Sequence, residues 1–297
     1  VYKPLKGHDD GLEDNLRSFF TQDYPTYQLI FCVADEDDPA IPVVKKLLVE
    51  FPDRDAELIV GTRAYGLNPK VESLATMERH RKHGVVLISD SNVRVRPNYL
   101  RETACHLADP GVGLVSNIFV GVGEDSIGAA CENLQLNGFI AGGVAIASCL
   151  RITCVVGKSM MMPQHVHEAI GGFAGVRNLL AEDQVIGVRV RKAGYSVKLS
   201  RHVIENVNVD RGLSWFLNRH SRWFKIRRRL AFPTYIIEPT SNLAAVGIVC
   251  ALSGEAALAW TGLGLIGLGI ARDAFQTWWL RGSPPKPRHL LLSPIKD

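Results

Sequence analysis

The sequence contains no C-x-x-C pair. Its six cysteines, Cys32, Cys105, Cys131, Cys149, Cys154 and Cys250, are scattered. Even the nearest two, Cys149 and Cys154, have no His or acidic partner at ligand spacing. That excludes the usual zinc-finger and dithiol patterns. It leads us to expect buried thiols, in a chain whose active part faces a reducing compartment. No segment recurs with a period of about 20 to 50 residues, which excludes solenoids and propellers. A broad basic excess is also missing, because the formal net charge is only +4 over 297 residues. A dedicated nucleic-acid binder normally carries a domain-wide positive bias, so no nucleic-acid partner is expected. Charge nearly disappears in residues 243–270, where Glu255 is the only charged residue.

Hydrophobic residues make up 46% of the chain, enough for a sizeable core, and the length suits one large domain or two. The chain opens on Val1 rather than Met, and residues 293–297 carry no obvious stop. A fragment is therefore expected, one whose missing N-terminal side could have carried a signal or an anchor. Short apolar runs at 28–34, 57–61 and 84–89 alternate with helical patterns at 42–51 and 71–82. Continuous apolar runs suit strands buried on both faces, and the alternation predicts an α/β fold with a mostly parallel sheet. Ligands of such sheets bind beyond the carboxyl ends of the strands. The acids at 35–38 and Asp90 fall there.

Residues 116–185 are less regular, and a further strand is expected near 195–200. Residues 213–230 read as a basic amphipathic helix that includes Arg219, Arg222 and Trp223. Two apolar helices follow, at about 239–258 and 259–280, near the roughly 20 residues a spanning helix needs. Their frequent glycines suit close packing in a membrane, although a buried core hairpin has the same pattern. The segments divide as 1–212 for a catalytic domain, 213–235 for an interfacial helix region, and 236–297 for membrane helices and a tail.

Four constellations could carry chemistry. Asp38 closes an acidic run (Asp35, Glu36, Asp37, Asp38) that could bind a base, ribose or metal, or simply lead a helix. Asp90, in Leu-Ile-Ser-Asp-Ser-Asn, could hold Mg2+ or Mn2+ against a diphosphate, or end a strand in an ordinary turn. Its motif carries Asn92 where a second acid would bring charge. Glu182 and Asp183 could supply a general base, or Asp183 could cap a helix. Arg219, Arg222 and Trp223 fall on one helix face, where guanidinium groups bind phosphate and an indole can stack. A basic interfacial helix attracted to anionic lipid has the same pattern, and Arg227–Arg229 suit lipid contact. Lys70, after Asn68-Pro69, could reach a phosphate near a helix start or could be solvated.

The order of these pieces resembles the ceramide glucosyltransferase family. The likeness is carried by Lys3-Pro4-Leu5-Lys6-Gly7, Asp37-Asp38-Pro39-Ala40, Asn68-Pro69-Lys70, Asp90-Ser91, Glu182-Asp183, Arg219-x-x-Arg222-Trp223 and the stretch at 238–242. Bacterial hopanoid-lipid N-acetylglucosaminyltransferases are similar in the same motifs. The resemblance implies a GT-A, Rossmann-like domain followed by membrane helices in a multi-pass protein with its catalytic part in the cytoplasm. It implies a UDP-sugar donor, a lipid acceptor and inversion. By residue, it implies donor binding for Asp38, Lys70, Arg219, Arg222 and Trp223, a divalent cation on Asp90, and the general base at Asp183 beside Glu182.

Overall fold

Leu29, Ile30, Phe31, Cys32 and Val33 are apolar without interruption, and all five are buried, as a strand covered on both faces requires. Between that strand and the first one lies a helix built on an apolar stripe. Leu12, Leu16, Phe19 and Phe20 are buried on it, while Glu13 and Asp14 stand in its first turn, where the helix dipole favours acids. The computed structural model describes residues 1–62, 66–230 and 232–296. Asp297, at the end of the tail segment, lies outside them.

Along the chain the elements are β1 (Tyr2–Pro4), α1 (Leu12–Phe20), β2 (Leu29–Val33), α2 (Ala40–Glu50), β3 (Ala56–Val60) and α3 (Pro69–Glu78). Next come β4 (Val85–Ser89), β5 (Val93–Arg94), α4 (Tyr99–Ala104) and β6 (Val112–Val122). These are followed by α5 (Ile127–Gln135), α6 (Ala141–Cys149), β7 (Ser159–Pro163), α7 (Gln164–Ala169), α8 (Glu182–Lys192) and β8 (Ser196–Val207). The remainder is helical: α9 (Leu213–Leu230), α10 (Phe232–Ile237), α11 (Leu243–Ala251), α12 (Ala256–Arg281), α13 (Pro287–Leu290) and α14 (Ser293–Lys296). The chain divides into two compact units, residues 1–119 with 144–207, and residues 120–143 with 208–297.

The first unit is organised by a sheet of order β3-β2-β1-β4-β7-β6-β8-β5. β1 pairs in parallel with β2 and β4, and β2 with β3. β7 runs antiparallel to both β4 and β6, and β5 runs antiparallel to β8. The expected mostly parallel sheet is thus a mixed one. α1, α2 and α3 supply the crossovers that parallel pairing requires for β1 to β4. β7 enters beside β4 from a later part of the chain and in the opposite direction. One face of this sheet, with Tyr2, Ile30, Ile88, Met160 and Met162, packs on Val166, Phe173 and Val190.

The second unit holds α9 over its expected span, residues 213–230. The first of the two expected apolar helices is shorter than its apolar run. α11 has 9 residues, ends before a turn at Gly254 (φ +83°), and would extend about 14 Å. α12 has 26 residues but includes Arg272 and Asp273. No helix among the described residues is long and apolar enough to cross a membrane. The cysteines are also less uniform than expected. Cys32 and Cys131 are buried, whereas Cys105 and Cys149 are exposed, and the six are free thiols.

A buried polar chain crosses the first unit beside β7. The Tyr99 and Ser159 hydroxyls are 2.6 Å apart, Ser159 donates to Asn117 Oδ1 at 2.7 Å, and Asn117 Nδ2 donates to Thr103 Oγ1 at 3.0 Å. Replacing Asn117 by Leu leaves two buried hydroxyls without that amide. A loss of about 2 kcal/mol is expected, read as a lower urea midpoint. An unchanged midpoint would show that the chain contributes nothing.

Candidate active site

Three local rules of the first unit converge on one cluster. α3 starts at Pro69 because Asn68 caps it, accepting a hydrogen bond from the Lys70 N–H at 3.1 Å. That sets Lys70 in the first turn of the helix. β4 ends at Ser89, which places Asp90 just past its carboxyl end. α8 begins with Glu182 and Asp183, so both acids stand in its first turn, with Ala181 at the cap position. Asp183 is therefore not the capping residue.

Lys70 joins these ends. Its Nζ lies 2.9 Å from Asp90 Oδ1 and 3.1 Å from Glu182 Oε1. Asn68 strengthens the junction, because its Nδ2 donates to Glu182 Oε2 at 3.1 Å and to the Leu179 carbonyl at 2.6 Å. Burial works against charge on Lys70, but Asp90, Glu182 and Asp183 together raise its pKa, so the ammonium stays charged.

A second lysine comes from β7. Ser89 of β4 pairs with Ser159 of β7 in antiparallel register, so the next positions, Asp90 and Lys158, face each other across the ladder. Lys158 Nζ lies 3.1 Å from Asp90 Oδ2 and donates to Asn92 Oδ1 at 2.9 Å. Its side chain is only 7% exposed. Burial alone would raise the Asp90 pKa, but Lys70 and Lys158 outweigh it and hold the carboxyl well below the ordinary range. A third lysine, Lys3 of β1, lies wholly buried beneath them. It donates to the Asp90 carbonyl at 2.5 Å and to Ser89 Oγ at 3.3 Å, and it sits 3.9 Å over the Phe19 ring. Burial pushes its pKa down to about 7, with the Asp90 carboxylate opposing the fall.

Asp183 has a different environment. Its Oδ2 accepts the Gly157 N–H at 2.7 Å and its Oδ1 the Gln184 N–H at 2.8 Å. Gln184 in turn accepts from the Val155 N–H at 3.0 Å and donates to the Thr153 carbonyl at 2.9 Å, tying the loop before β7 to the start of α8. Gly157 leaves room for this close approach. A Cβ there would stand 3.0 Å from Asp183 Oδ2 and 3.2 Å from Lys70 Nζ. Burial raises the Asp183 pKa, the neighbouring Glu182 charge adds to the rise, and Lys70 opposes it. Such a carboxylate is a stronger base than an ordinary aspartate.

The remaining expected residues lie elsewhere. Asp38 is buried while Asp35, Glu36 and Asp37 are exposed. Its oxygens accept the Gly7 N–H at 2.9 and 3.1 Å and the Ala40 N–H at 2.8 Å, so it ties the loop after β1 to the start of α2. In the second unit, the Arg219 guanidinium lies 4.7 Å from the Trp223 ring and 5.2 Å from the Trp215 ring. Arg219 Nε is 3.0 Å from Oε1 of the buried Glu132 on α5, and His220 Nε2 is 2.8 Å from its other oxygen. Arg222 is exposed. Of the three arginines expected to meet lipid, Arg227 is paired with Glu238 at 2.7 Å, whereas Arg228 and Arg229 are exposed.

A metal ion fits the expected site poorly. Both Asp90 oxygens face ammonium groups, and the Asn92 amide oxygen accepts from one of them. Among the described residues no group of three or more His, Cys, Asp or Glu side chains is arranged to hold a metal. Of the residues singled out in the sequence, the structure brings Asp90, Lys70, Glu182 and Asp183 into one cluster, with Asn68 beside them, whereas Lys158, Gln184 and Glu132 were not singled out. A lysine directly before the apolar run Ser-Met-Met-Met was the available signal for Lys158.

Comparison with known proteins establishes the fold and the family. A mannosyltransferase from Pyrobaculum calidifontis, solved with GDP-Man and Mn2+, superposes with a TM-score of 0.56 over 100% of this chain and 85% of its own. Its sequence is 18% identical, so that likeness establishes the GT-A glycosyltransferase fold. The model of glycosyl transferase family 21 matches residues 1–296, and the chain belongs to that family. Ceramide glucosyltransferase 3 of Caenorhabditis elegans is 30% identical over 255 residues, 85% of this chain and 55% of the relative. Ceramide glucosyltransferase 1 of the same organism is 29% identical over 84% of this chain and 54% of the relative. The chain thus spans about half the length of these curated relatives.

Removing the Lys70 charge leaves Glu182 and Asp183 without their shared cation. Lys70→Met is expected to destabilise the first unit by about 2 kcal/mol, the modest end for a partly exposed pair. Chemical denaturation followed by circular dichroism measures this. Stability equal to the unmodified chain would mean that the junction is electrostatically idle.

Proposed function

We propose that the chain transfers a sugar from a nucleotide sugar, UDP-glucose, to the primary hydroxyl of a lipid, ceramide, with inversion. The observation that carries the mechanism is Asp183, a carboxylate of raised basicity beside a lysine-rich cluster at the ends of β4 and α8. Family membership and the ceramide glucosyltransferase relatives support the reaction class and acceptor. In this reaction Asp183 takes the proton of the lipid hydroxyl as its oxygen bonds to the anomeric carbon. The bond from that carbon to the diphosphate oxygen breaks, and UDP departs with the electron pair. Attack opposite the leaving group inverts the configuration. Glu182 holds Lys70 in place, and Lys70 offsets the charge that develops on the diphosphate. A Mg2+ or Mn2+ ion on Asp90 would have to displace both lysines from its oxygens, so the steps are written on the chain's own groups. Donor binding by Asp38, Arg219, Arg222 and Trp223 rests on the motif resemblance and belongs to the same proposal.

A membrane setting with the catalytic part in the cytoplasm completes the proposal. The membrane setting is supported by exposed Trp260, Phe275 and Trp279 on α12 and by exposed Arg228 and Arg229 on α9, a combination that suits an interface, while the cytoplasmic side rests on the motif resemblance.

The deciding experiment offers radiolabelled UDP-glucose or UDP-N-acetylglucosamine with ceramide or a hopanoid alcohol. Labelled glucosylceramide is expected. A labelled hopanoid would replace the acceptor, and no product from any pair would refute the transfer. Asp183→Asn is expected to lower turnover by about 10²- to 10⁴-fold while UDP binding survives. Turnover at the unmodified level would remove Asp183 from the base role. The raised Asp183 pKa sets the sign of the pH dependence. As pH falls through it the base is protonated and kcat/KM drops, so the acid limb is expected above the ordinary aspartate value of about 3.9. A limb at or below that value would contradict the assignment.

A further inference from the structure

We propose that Lys158 is a built-in cation for the donor diphosphate, filling the place between Asp90 and Asn92 that a divalent ion would otherwise take. The proposal rests on the nucleotide-sugar reading above. Three observations carry it. The Lys158 ammonium bridges Asp90 Oδ2 at 3.1 Å and Asn92 Oδ1 at 2.9 Å, so it already bonds to both members of the motif. The motif itself offers one carboxylate and one neutral amide, a charge that suits a monovalent ammonium better than a doubly charged ion. The position of Lys158 is not left to a flexible side chain alone. The β4–β7 register sets it opposite Asp90, and its side chain is almost wholly buried.

The ammonium stands at the carboxyl end of β4, where ligands of α/β sheets bind. Lys70 holds the other oxygen of Asp90, and the two lysines together form a fixed pair of donors for phosphate oxygens. Asp90 in this arrangement is a positioning residue for two lysines. Backbone continuity also links this cation to the base. Gly157, the residue before Lys158, donates its N–H to Asp183. One dipeptide therefore orients the proton acceptor and supplies the charge for the leaving group.

The test is UDP binding to the purified chain by calorimetry, in EDTA and in Mn2+. The unmodified protein is expected to bind equally in both. Lys158→Met is expected to lose about tenfold in affinity in EDTA, the effect of one lost charge-assisted contact. It is expected to regain affinity when Mn2+ is added, because Asp90 Oδ2 and Asn92 Oδ1 are then uncovered. Lys158→Arg, which keeps the charge, should retain most of the EDTA binding. UDP binding that needs Mn2+ in the unmodified protein would overturn the proposal alone. So would a folded Lys158→Met protein that binds UDP in EDTA as well as the parent does. A chain that binds no UDP in either buffer would overturn both the proposal and the nucleotide-sugar reading. The comparison on the unmodified protein needs no variant, so a Lys158→Met protein that fails to fold leaves the test intact.

Discussion

One ammonium group holds the first unit's chemistry together. Lys70 sits between Asp90, at the end of β4, and Glu182, at the start of α8, while its own backbone lies in the first turn of α3. Three elements from distant parts of the chain thus meet at a single positive charge. Two unit charges about 4 Å apart interact by about 4 kcal/mol at an effective dielectric near 20. Without that charge Asp90 would keep Lys158, but Glu182 and Asp183 would stand side by side with no lysine between them and Asp90. The arrangement also divides the acids by function. Asp90 is held anionic by two lysines. Asp183 keeps its affinity for a proton because burial and the charge of Glu182 outweigh Lys70 and the N–H groups of Gly157 and Gln184.

Much of this was legible in the sequence, because it depends on local signals. The apolar runs that became β2, β3 and β4, and the Asn-Pro start of α3, are short-range features. The acids Asp90, Glu182 and Asp183 stood out because they follow apolar runs. Long-range pairing was hidden. β7 lies about 70 residues after β4 in sequence, and nothing in Ser-Met-Met-Met-Pro announces an antiparallel partner or places Lys158 opposite Asp90. The same limit explains the expectation of a mostly parallel sheet: the parallel strands were recognised by their alternation with helices, whereas β6, β7 and β8 lie in a region without it. The acid run 35–38 looked like one binding feature. In the structure only Asp38 turns inward, where three N–H contacts from Gly7 and Ala40 occupy it.

The second unit follows a related logic on a helical frame. Glu132 is wholly buried on α5 and meets both Arg219 and His220 of α9. The guanidinium is also flanked by Trp215 and Trp223, so a side chain with many rotamers is confined by two rings and a carboxylate. The motif spacing revealed the i,i+4 relation of Arg219 and Trp223. It could not reveal that residues 120–143, far earlier in the chain, join the C-terminal helices in one compact unit and provide the acid.

The ladder between β4 and β7 has an evolutionary corollary. Side chains alternate faces along a strand, so a shift of one residue turns each to the opposite side. Inserting or deleting one residue between Thr153 and Ser159 would carry Lys158 away from Asp90 and would also pull the Gly157 N–H off Asp183. The stretch is therefore free to change its apolar composition but not its length, and descendants of this chain should tolerate swaps among the β7 methionines far better than any indel at its entrance.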